Sequence, residues 1–337
     1  MPHQVILAAA DGSTAGIDIH KVRYKQSGPH HRHRKGQNMT PSTTVTMSAI
    51  LQDAYGTADT WHAGQIAVPE ITDKEVLVQI AAAGLDRGTW HLMTGLPYLG
   101  RVAFGIRKPK NPVPGRDLAG TVAAVGSSVT RFSVDDTVFG IGLGSFAECA
   151  AAREDKLART PTNLTLEQAA VVPISGLTAL HALRDAGHVE AGQNVLIVGA
   201  SGGVGSYAVQ IAKSFGANVT GVCSTAKVDL VRSLGADQVI DYTQADFAHG
   251  TEHYDLIIDI GGSSPLSRLR RALTHTGVLV IVGGEGGGKL TGMGRHRDTE
   301  CRLHLPTWPS SRRDASTRRR RGARQDRHHR LTAPRTP

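Results

Sequence analysis

The sequence has few cysteines and no long apolar run, and each shortage excludes a class of protein. Its 337 residues contain three cysteines, Cys149, Cys223 and Cys301, which lie far apart and form no CxxC pair. This spacing excludes a disulfide framework and a structural zinc cluster, and it is typical of a reducing cytosol. The run VILAAA near the amino end is too short to span a membrane and lacks the charged start of a signal peptide. We therefore expect a cytoplasmic protein without a membrane partner.

The excess of positive charge lies at the two ends of the chain. The 38 Lys and Arg residues exceed the 29 Asp and Glu residues, which gives a formal net charge of +9. Residues 295–337 hold 13 Arg and four acidic residues, residues 1–46 hold six basic and two acidic residues, and residues 47–294 hold 19 basic and 23 acidic residues. The body of the chain is therefore mildly acidic, and the overall charge says little about its ligand.

Composition and periodicity divide the chain into four segments. Residues 1–46 show no sustained period, so we predict a disordered extension. Its histidines His30, His31 and His33 could bind a metal, but no fold holds them in a fixed geometry, and a solvated segment is the favoured interpretation. The remaining predicted segments are a β domain for substrate and catalysis at 47–165, a nucleotide-binding domain at 166–294 and a disordered Arg-rich tail at 295–337.

The hydrophobic pattern predicts an α/β protein. Residues 47–165 contain short strands between Gly and Pro turns, such as SAILQ, EVLVQIAAAG, LAGTVAAVG and DTVFGIG. From Leu166 the period becomes helical, and that segment ends at Gly187. Strands are then predicted at 194–198, 218–223, 237–240, 255–260 and 277–282, and helices at 203–215, 226–234 and 265–273. Their alternation predicts a doubly wound parallel sheet behind a mostly β domain.

The stretch NVLIVGASGGVGSYAV, residues 194–209, interrupts a buried strand with a cluster of glycines. Glycine leaves main-chain N–H groups accessible to phosphate oxygens, and the start of the following helix attracts the anion. The spacing is GxxGGxG rather than GxGxxG, but the strand–turn–helix setting predicts a dinucleotide site. The residues expected to line this site are Gly199, Ser201, Gly202, Gly203 and Val204. A tight turn with no ligand is the competing interpretation.

The residues that follow the next strand favour NADPH over NADH. An NAD site usually has Asp or Glu there to bind the ribose 2′-hydroxyl, whereas this chain continues as Ser224-Thr225-Ala226-Lys227. Ser224 could donate a hydrogen bond to a 2′-phosphate, and Lys227 would supply the countercharge. The attraction of such a pair is at most about 4 kcal/mol at an effective dielectric constant of about 20. A solvated Lys227 without this role is the alternative.

Five motifs follow one another along residues 47–294: PGRDLAGTV, the glycine stretch, GVCSTAK, GADQVIDY and GVLVIVGG. Together they resemble the zinc-independent medium-chain dehydrogenase/reductases of the quinone oxidoreductase type. The resemblance implies a GroES-like β domain and a Rossmann domain. Zinc-dependent relatives have Gly-His-Glu where this chain has Gly115-Arg116-Asp117, and Gly84-Leu85-Asp86-Arg87 stands where their ligand Cys would lie. We therefore expect no metal.

The resemblance implies hydride transfer from NADPH to a quinone or an α,β-unsaturated carbonyl. His91 is the candidate donor to the developing oxyanion, and a polar histidine without this role is the alternative. Asp86 would orient the ribose, the substrate or His91, or it is an ordinary structural carboxylate. Thr178 would lie near the nicotinamide, Tyr242 against the adenosine phosphate and Val282 near the carboxamide. A further histidine, His181, is predicted to serve packing.

The composition changes abruptly at Arg295. The tail is rich in Arg, Pro, Ser and His, which is typical of translation in a shifted reading frame and leaves the Rossmann domain incomplete. A basic arm that binds nucleic acid is the alternative, although Trp308 is the tail's only aromatic residue. The resemblance implies a homodimer through the family's last sheet strand, and this tail replaces that strand. A truncated, non-catalytic NADPH-binding remnant is therefore the alternative function.

Overall fold

The computed structural model describes residues 45–283 and two strands nearer the amino end, β1 (His3–Ala9) and β2 (Thr14–Ile19). The elements that follow in the first half of the chain are β3 (Thr46–Gln52), β4 (Trp61–Ala67), β5 (Glu75–Leu85), α1 (Arg87–Thr94), α2 (Arg101–Phe104), β6 (Asp117–Val125), β7 (Thr137–Ile141), β8 (Cys149–Arg153) and β9 (Leu157–Arg159). The main sheet has the order β2-β1-β5-β6-β7-β9, and β8 also pairs with β5. All these pairs are antiparallel except β1 with β5. A separate hairpin joins β3 to β4.

The second half of the chain forms a parallel sheet flanked by helices. Its elements are α3 (Leu166–Ala170), α4 (Pro173–Leu180), β10 (Asn194–Val198), α5 (Gly203–Ser214), β11 (Asn218–Cys223), α6 (Val228–Ser233), β12 (Gln238–Asp241), β13 (Tyr254–Asp259), α7 (Leu266–Ala272) and β14 (Leu273–Ile281). The strand order is β12-β11-β10-β13-β14, and every pair is parallel. The order reverses between β10 and β13, and ligands of such sheets bind at the carboxyl ends of the strands at this point. The predicted fold class, a mostly β domain with an α/β domain, is confirmed.

The parallel sheet is buried on both faces, which explains why its central strands read as continuous apolar runs. Val195 and Ile197 of β10 pack with Leu183, which follows α4, and with residues of α5 in one core. Leu196 and Val198 point the other way and join the core that contains Leu269 of α7. This alternation follows from the two-residue period of a strand. The β domain has a core of its own around Leu118, Val122 and Phe146.

Three regions differ from the sequence-based expectation. The helical segment ending at Gly187 is divided into α3, α4 and a π-helical turn, His181–Ala186. Strand β14 begins at Leu273 rather than 277, because its pairing with β13 passes through an irregularity near Tyr254. Strands β1 and β2 lie in the segment predicted to be disordered. The apolar run VILAAA contributes to β1, which pairs in parallel with β5. The other residues before 45, and the predicted tail, lie outside the described residues.

No helix in the described part of the chain is long and apolar enough to cross a membrane.

Candidate cofactor and active site

The glycine-rich turn leaves the carboxyl end of β10 and enters α5 at the point where the strand order reverses. Gly199 has a φ of 87°, a conformation that a residue with a Cβ rarely adopts. The amides of Gly199 and Ala200 both donate to the carbonyl of Val222, at 3.1 and 3.0 Å. The amide of Gly202 donates back to the carbonyl of Gly199 at 3.1 Å. These bonds fix the turn against β11 before the helix starts.

The start of α5 is shaped to receive an anion. A Cβ on Gly205 would lie 2.1 Å from the carbonyl oxygen of Gly199, so only glycine allows the helix to approach the turn this closely. Gly202 caps the helix without a side-chain hydrogen bond and is exposed. The first amides of a helix have no carbonyl partner within it, and they carry the positive end of its dipole. The predicted residues Ser201, Gly203 and Val204 are half-buried in this turn, which therefore fits a pyrophosphate.

The carboxyl end of β11 holds Ser224 and Lys227 in a short turn, where the amide of Lys227 donates to the carbonyl of Ser224 at 2.9 Å. Sequence reasoning found no acidic residue after this strand, but Asp241 lies opposite Cys223 on the neighbouring strand β12. Its carboxylate accepts from the hydroxyl of Thr225 at 2.6 Å and from Thr243. These hydrogen bonds, that of Thr225 first, lower the pKa of Asp241. An anion therefore lies close to the predicted 2′-phosphate position.

The other predicted cofactor residues are spread along the same edge of the sheet. Tyr242 follows Asp241, is 59% exposed and donates its amide to the carbonyl of Cys223. Val282 follows β14, and its amide donates to the carbonyl of Asp259 at 2.9 Å. Thr178 lies on α4, where its hydroxyl donates to the carbonyl of Ile174 at 2.7 Å. None of the hydrogen bonds described here links one of these side chains to another, so their roles toward a nucleotide remain predictions.

Helix α1 joins the two candidate catalytic residues. Asp86 caps its start, and Oδ1 accepts from the amide of Thr89 at 2.5 Å. The Nδ1 atom of His91 lies 2.9 Å from the carbonyl oxygen of Leu96, which follows the helix. The ring of His91 also packs edge-on against Trp90, with 5.1 Å between the centroids. Asp86 therefore caps α1, and none of the hydrogen bonds seen in the described residues joins it to His91, so its part in the reaction stays a prediction.

Asp117, which sequence reasoning did not select, connects β6 with the helix that follows α3. It is 1% exposed, and both of its carboxyl oxygens lie 3.2 Å from the amide of Ile174 in the first turn of α4. Burial, with the nearby charge of Asp86 as the second cause, raises the pKa of Asp117 to about 8. The motif PGRDLAGTV contained this residue, but a buried aspartate has no distinct signal in a sequence.

Several polar atoms near this carboxyl are buried without a hydrogen-bond partner among the described residues. They are Oδ2 of Asp86, Oγ1 of Thr89, Nε of Arg116 and Oγ of Ser145. Asp86 and Arg116 lie at the adjoining ends of β5 and β6, whose register pairs Ala83 with Leu118. Buried polar groups are normally satisfied, so these atoms mark a place where a water or a ligand can supply the missing partner.

His181 differs from its prediction as a packing residue. Its side chain is 63% exposed, and Nδ1 forms a hydrogen bond with a carboxylate oxygen of Asp185 one turn later. Hydrogen bonds from Arg184 and then from His181 hold the pKa of Asp185 well below its usual range. The packing prediction is wrong, because the side chain is exposed to solvent and does not belong to the core that contains Leu183.

Comparison with known proteins places the chain in a family. The family model of the alcohol dehydrogenase GroES-like domain matches residues 72–179, and that of the zinc-binding dehydrogenases matches residues 203–300. A chloroplast envelope quinone oxidoreductase homolog from Arabidopsis thaliana is 33% identical over 254 residues, which cover 70% of this chain and 74% of the relative. The chain belongs to the quinone oxidoreductase family. It is therefore an oxidoreductase of the medium-chain dehydrogenase/reductase type that binds a nicotinamide cofactor and acts on small molecules.

One further sequence relative and one solved structure support the assignment to this family. An NADPH-dependent alkenal/one oxidoreductase from the chloroplast of Arabidopsis thaliana is 34% identical over 244 residues, which cover 67% of this chain and 60% of the relative. The solved structure of the quinone oxidoreductase from Coxiella burnetii superposes with a TM-score of 0.64 at 29% identity, covering 70% of this chain and 75% of that one. The predicted resemblance is confirmed.

The zinc that one family model mentions does not fit the residues of this chain. No group of three His, Cys, Asp or Glu side chains in the described part of the chain could hold a metal ion. Arg116, a cation, precedes the buried Asp117, and the carboxylate of Asp86 already accepts a hydrogen bond from Thr89. Nicotinamide nucleotides do fit, because the turn at 199–205 leaves main-chain amides accessible to a pyrophosphate.

Proposed function

We propose that this protein reduces quinones or α,β-unsaturated carbonyls with NADPH, by hydride transfer without a metal. The observation that carries the proposal is the open glycine turn from Gly199 to Gly205 at the switch point of the sheet. The names of the relatives, quinone oxidoreductase and alkenal/one oxidoreductase, support this substrate class. The cofactor supplies the hydride, and the residues of the chain bind it and stabilise charge on the substrate oxygen.

The preference for NADPH would come from Lys227 and Ser224. Lys227 offers a positive charge in the turn after β11, and Ser224 offers a hydroxyl. Asp241 opposes this preference, because its charge lies beside the same turn. Its oxygens accept hydrogen bonds from Thr225 in that turn and from Thr243 and Gln244 in the loop after β12, which satisfy part of its charge. The net preference is therefore expected to be moderate.

His91 would assist the substrate oxygen in its protonated form. A carbonyl oxygen only accepts, so the contact with Leu96 places a proton on Nδ1. In the neutral ring Nε2 then has a lone pair and cannot donate. The imidazolium donates from both nitrogens, so it can hydrogen-bond a developing oxyanion or transfer a proton to it.

Arg116 is a second candidate donor to that oxygen. Its Nε is buried without a partner among the described residues, and the carbonyl of the same residue accepts from the amide of Gly142 at 2.8 Å. The backbone bond fixes the residue at the start of β6. A preorganised cation would stabilise developing negative charge in a site that excludes water.

The remaining proposals concern the cellular compartment, the oligomeric state and the limits of the predicted segments. We expect a cytoplasmic protein, because Cys223 is buried and unpaired and Cys149 is also free. A homodimer of the family type and the limits of the four predicted segments also remain proposals. Nothing in the described residues favours a non-catalytic remnant over an enzyme.

The test is the oxidation of NADPH by purified full-length protein with 1,2-quinones, 1,4-quinones and small enones. We expect turnover that is abolished in Gly205→Val, whose side chain would collide with the carbonyl of Gly199. Gly250→Ala is the matched control, because the nearest atom to its added Cβ is 3.9 Å away. Binding of NADPH without turnover of any acceptor would support the remnant instead.

A further inference from the structure

The segment from the start of α1 to the start of β6 has an unusual charge. From Arg87 to Arg116 the chain contains six Lys and Arg residues and no acidic residue. Residues 47–294 as a whole contain more acidic than basic residues, so the excess of positive charge is local to this segment. Arg107, Lys108 and Lys110 are all exposed. A cluster of this sign attracts anionic surfaces.

The same segment exposes large apolar side chains. In residues 98–110, hereafter the 98–110 loop, Ile106 is 73% exposed, Val102 72% and Leu99 59%. Tyr98 and Phe104 are also exposed, at 43% and 45%. Scattered apolar residues are normal on a surface, but five within nine positions are a local concentration, and exposed apolar patches mark interaction sites.

The loop is held in this shape by Arg101. Its guanidinium lies over the rings of Tyr55 and Tyr98, at 4.4 and 4.7 Å from their centroids. Its Nε donates to the carbonyl of Gly95 at 2.8 Å, and the hydroxyl of Tyr55 donates to the carbonyl of Gly105 at 2.6 Å. The apolar side chains are therefore presented by an ordered element, which lowers the entropy lost when the loop binds.

We propose that the 98–110 loop docks this protein on an anionic lipid bilayer. Leu99, Val102 and Ile106 would enter the boundary of the acyl chains, and Arg107, Lys108 and Lys110 would contact anionic headgroups. This combination of apolar and basic residues is typical of segments that lie in the membrane interface. A second copy of the chain fits less well, because a symmetric contact would bring the basic residues of both loops together.

The inference revises the expectation of no membrane partner, which considered only spanning segments and leaders. The loop directly follows helix α1 and the contact between His91 and Leu96. Docking would therefore bring this side of the β domain to the phase in which apolar substrates concentrate. The proposal does not depend on the reaction, because it is tested by binding.

Co-sedimentation of the full-length protein with vesicles tests the electrostatic part. The vesicles are phosphatidylcholine alone, or phosphatidylcholine with roughly one third phosphatidylglycerol. We expect the parent protein to bind the anionic vesicles only. The triple variant Arg107→Gln, Lys108→Gln, Lys110→Gln is expected to bind them about 100-fold more weakly, because each lost charge weakens binding by about fivefold. The charge-matched control neutralises three exposed residues elsewhere, Lys74, Lys156 and Arg270. Its binding is expected to stay close to that of the parent protein.

A fluorescence measurement tests the insertion of apolar side chains separately from charge. Ile106→Trp is expected to be quenched by brominated lipid in anionic vesicles, whereas Val134→Trp, at another exposed position, is not. Equal losses of binding in the two triple variants, or no quenching at position 106, would overturn the proposal. Self-association that the substitutions in the loop abolish, without vesicle binding, would show a second copy as the occupant and would also overturn it.

Discussion

Nδ1 of His91 lies 2.9 Å from the carbonyl oxygen of Leu96, and this contact determines the chemistry that the ring can perform. Because the carbonyl only accepts, the proton of the neutral ring is on Nδ1. Nε2 then donates only when the ring is protonated. The contact also ties the end of α1 to the start of the segment that leads into the 98–110 loop.

The first prediction concerns His91→Asn. The amide nitrogen of Asn can replace Nδ1 in the bond to Leu96, but the variant has no group in place of Nε2. We expect kcat/KM toward a quinone to fall by roughly 10²- to 10⁴-fold, the usual contribution of a general acid. The dissociation constant of NADPH, measured by its fluorescence, should not change. Unchanged kcat/KM in the variant would show that Nε2 of His91 takes no part in the reaction.

The second prediction concerns the choice of cofactor, for which Lys227 and Asp241 act in opposite directions. Lys227→Ala is expected to lower the ratio of kcat/KM for NADPH to that for NADH by roughly tenfold, a fraction of the full Coulomb attraction. Asp241→Asn is expected to raise the same ratio, since it removes an anion near the 2′-phosphate. Lys156→Ala, at an exposed position in the β domain, should leave it unchanged. A ratio insensitive to Lys227 would show that the 2′-phosphate binds elsewhere.

The third prediction concerns the buried carboxyl of Asp117. The folded state raises its pKa from 3.8 to about 8, so the folded protein binds this proton more tightly than the unfolded chain. The free energy of unfolding should therefore fall as the pH rises from about 4 to about 8, by up to about 1.4 kcal/mol for each pH unit from this group. Asp117→Asn removes the titration and keeps an acceptor for the amide of Ile174.

Denaturant titrations at pH values across this window measure the effect. The stability of Asp117→Asn relative to the parent protein should increase steadily with pH. A constant difference between the two proteins at every pH would show that Asp117 ionises normally in the folded state. Glu154→Gln, at a half-exposed carboxylate of the β domain, serves as the control.

The fourth prediction separates a structural from a catalytic role for Asp86. Asp86→Ala removes the cap of α1 and should lower the free energy of unfolding by about 1 kcal/mol. Asp86→Asn keeps an oxygen that can accept from the amide of Thr89, so it should retain both stability and activity. Loss of activity in Asp86→Asn with unchanged stability would instead assign the carboxylate a part in the reaction.

The most accurate predictions from the sequence are those that rest on the spacing of apolar residues in strands and on the positions of glycines. The strands 194–198 and 218–223 were predicted with the bounds that the structure gives, because buried parallel strands are continuous apolar runs. Gly199 was placed in a turn because the motif breaks such a run, and its φ of 87° agrees. The division of α3 from α4 was missed, because the local apolar spacing continues across the break.

Contacts between distant residues could not be predicted. Asp241 and Thr225 are 16 residues apart in the chain, and their contact depends on the pairing of β11 with β12. The contact of Asp117 with Ile174 joins elements of both domains across 57 residues. Both findings alter the site, since one adds an anion near the cofactor turn and the other a buried carboxyl beside Asp86.

The most direct test of the account is hydride transfer by chelator-treated protein from NADPH deuterated at the reactive carbon of the nicotinamide to a 1,4-quinone. The account predicts oxidation of NADPH that persists after metal removal, a slower rate with the deuterated cofactor, and loss of both binding and turnover in Gly205→Val. Stoichiometric zinc whose removal abolishes activity, or a folded preparation that binds neither NADPH nor NADH, would contradict it.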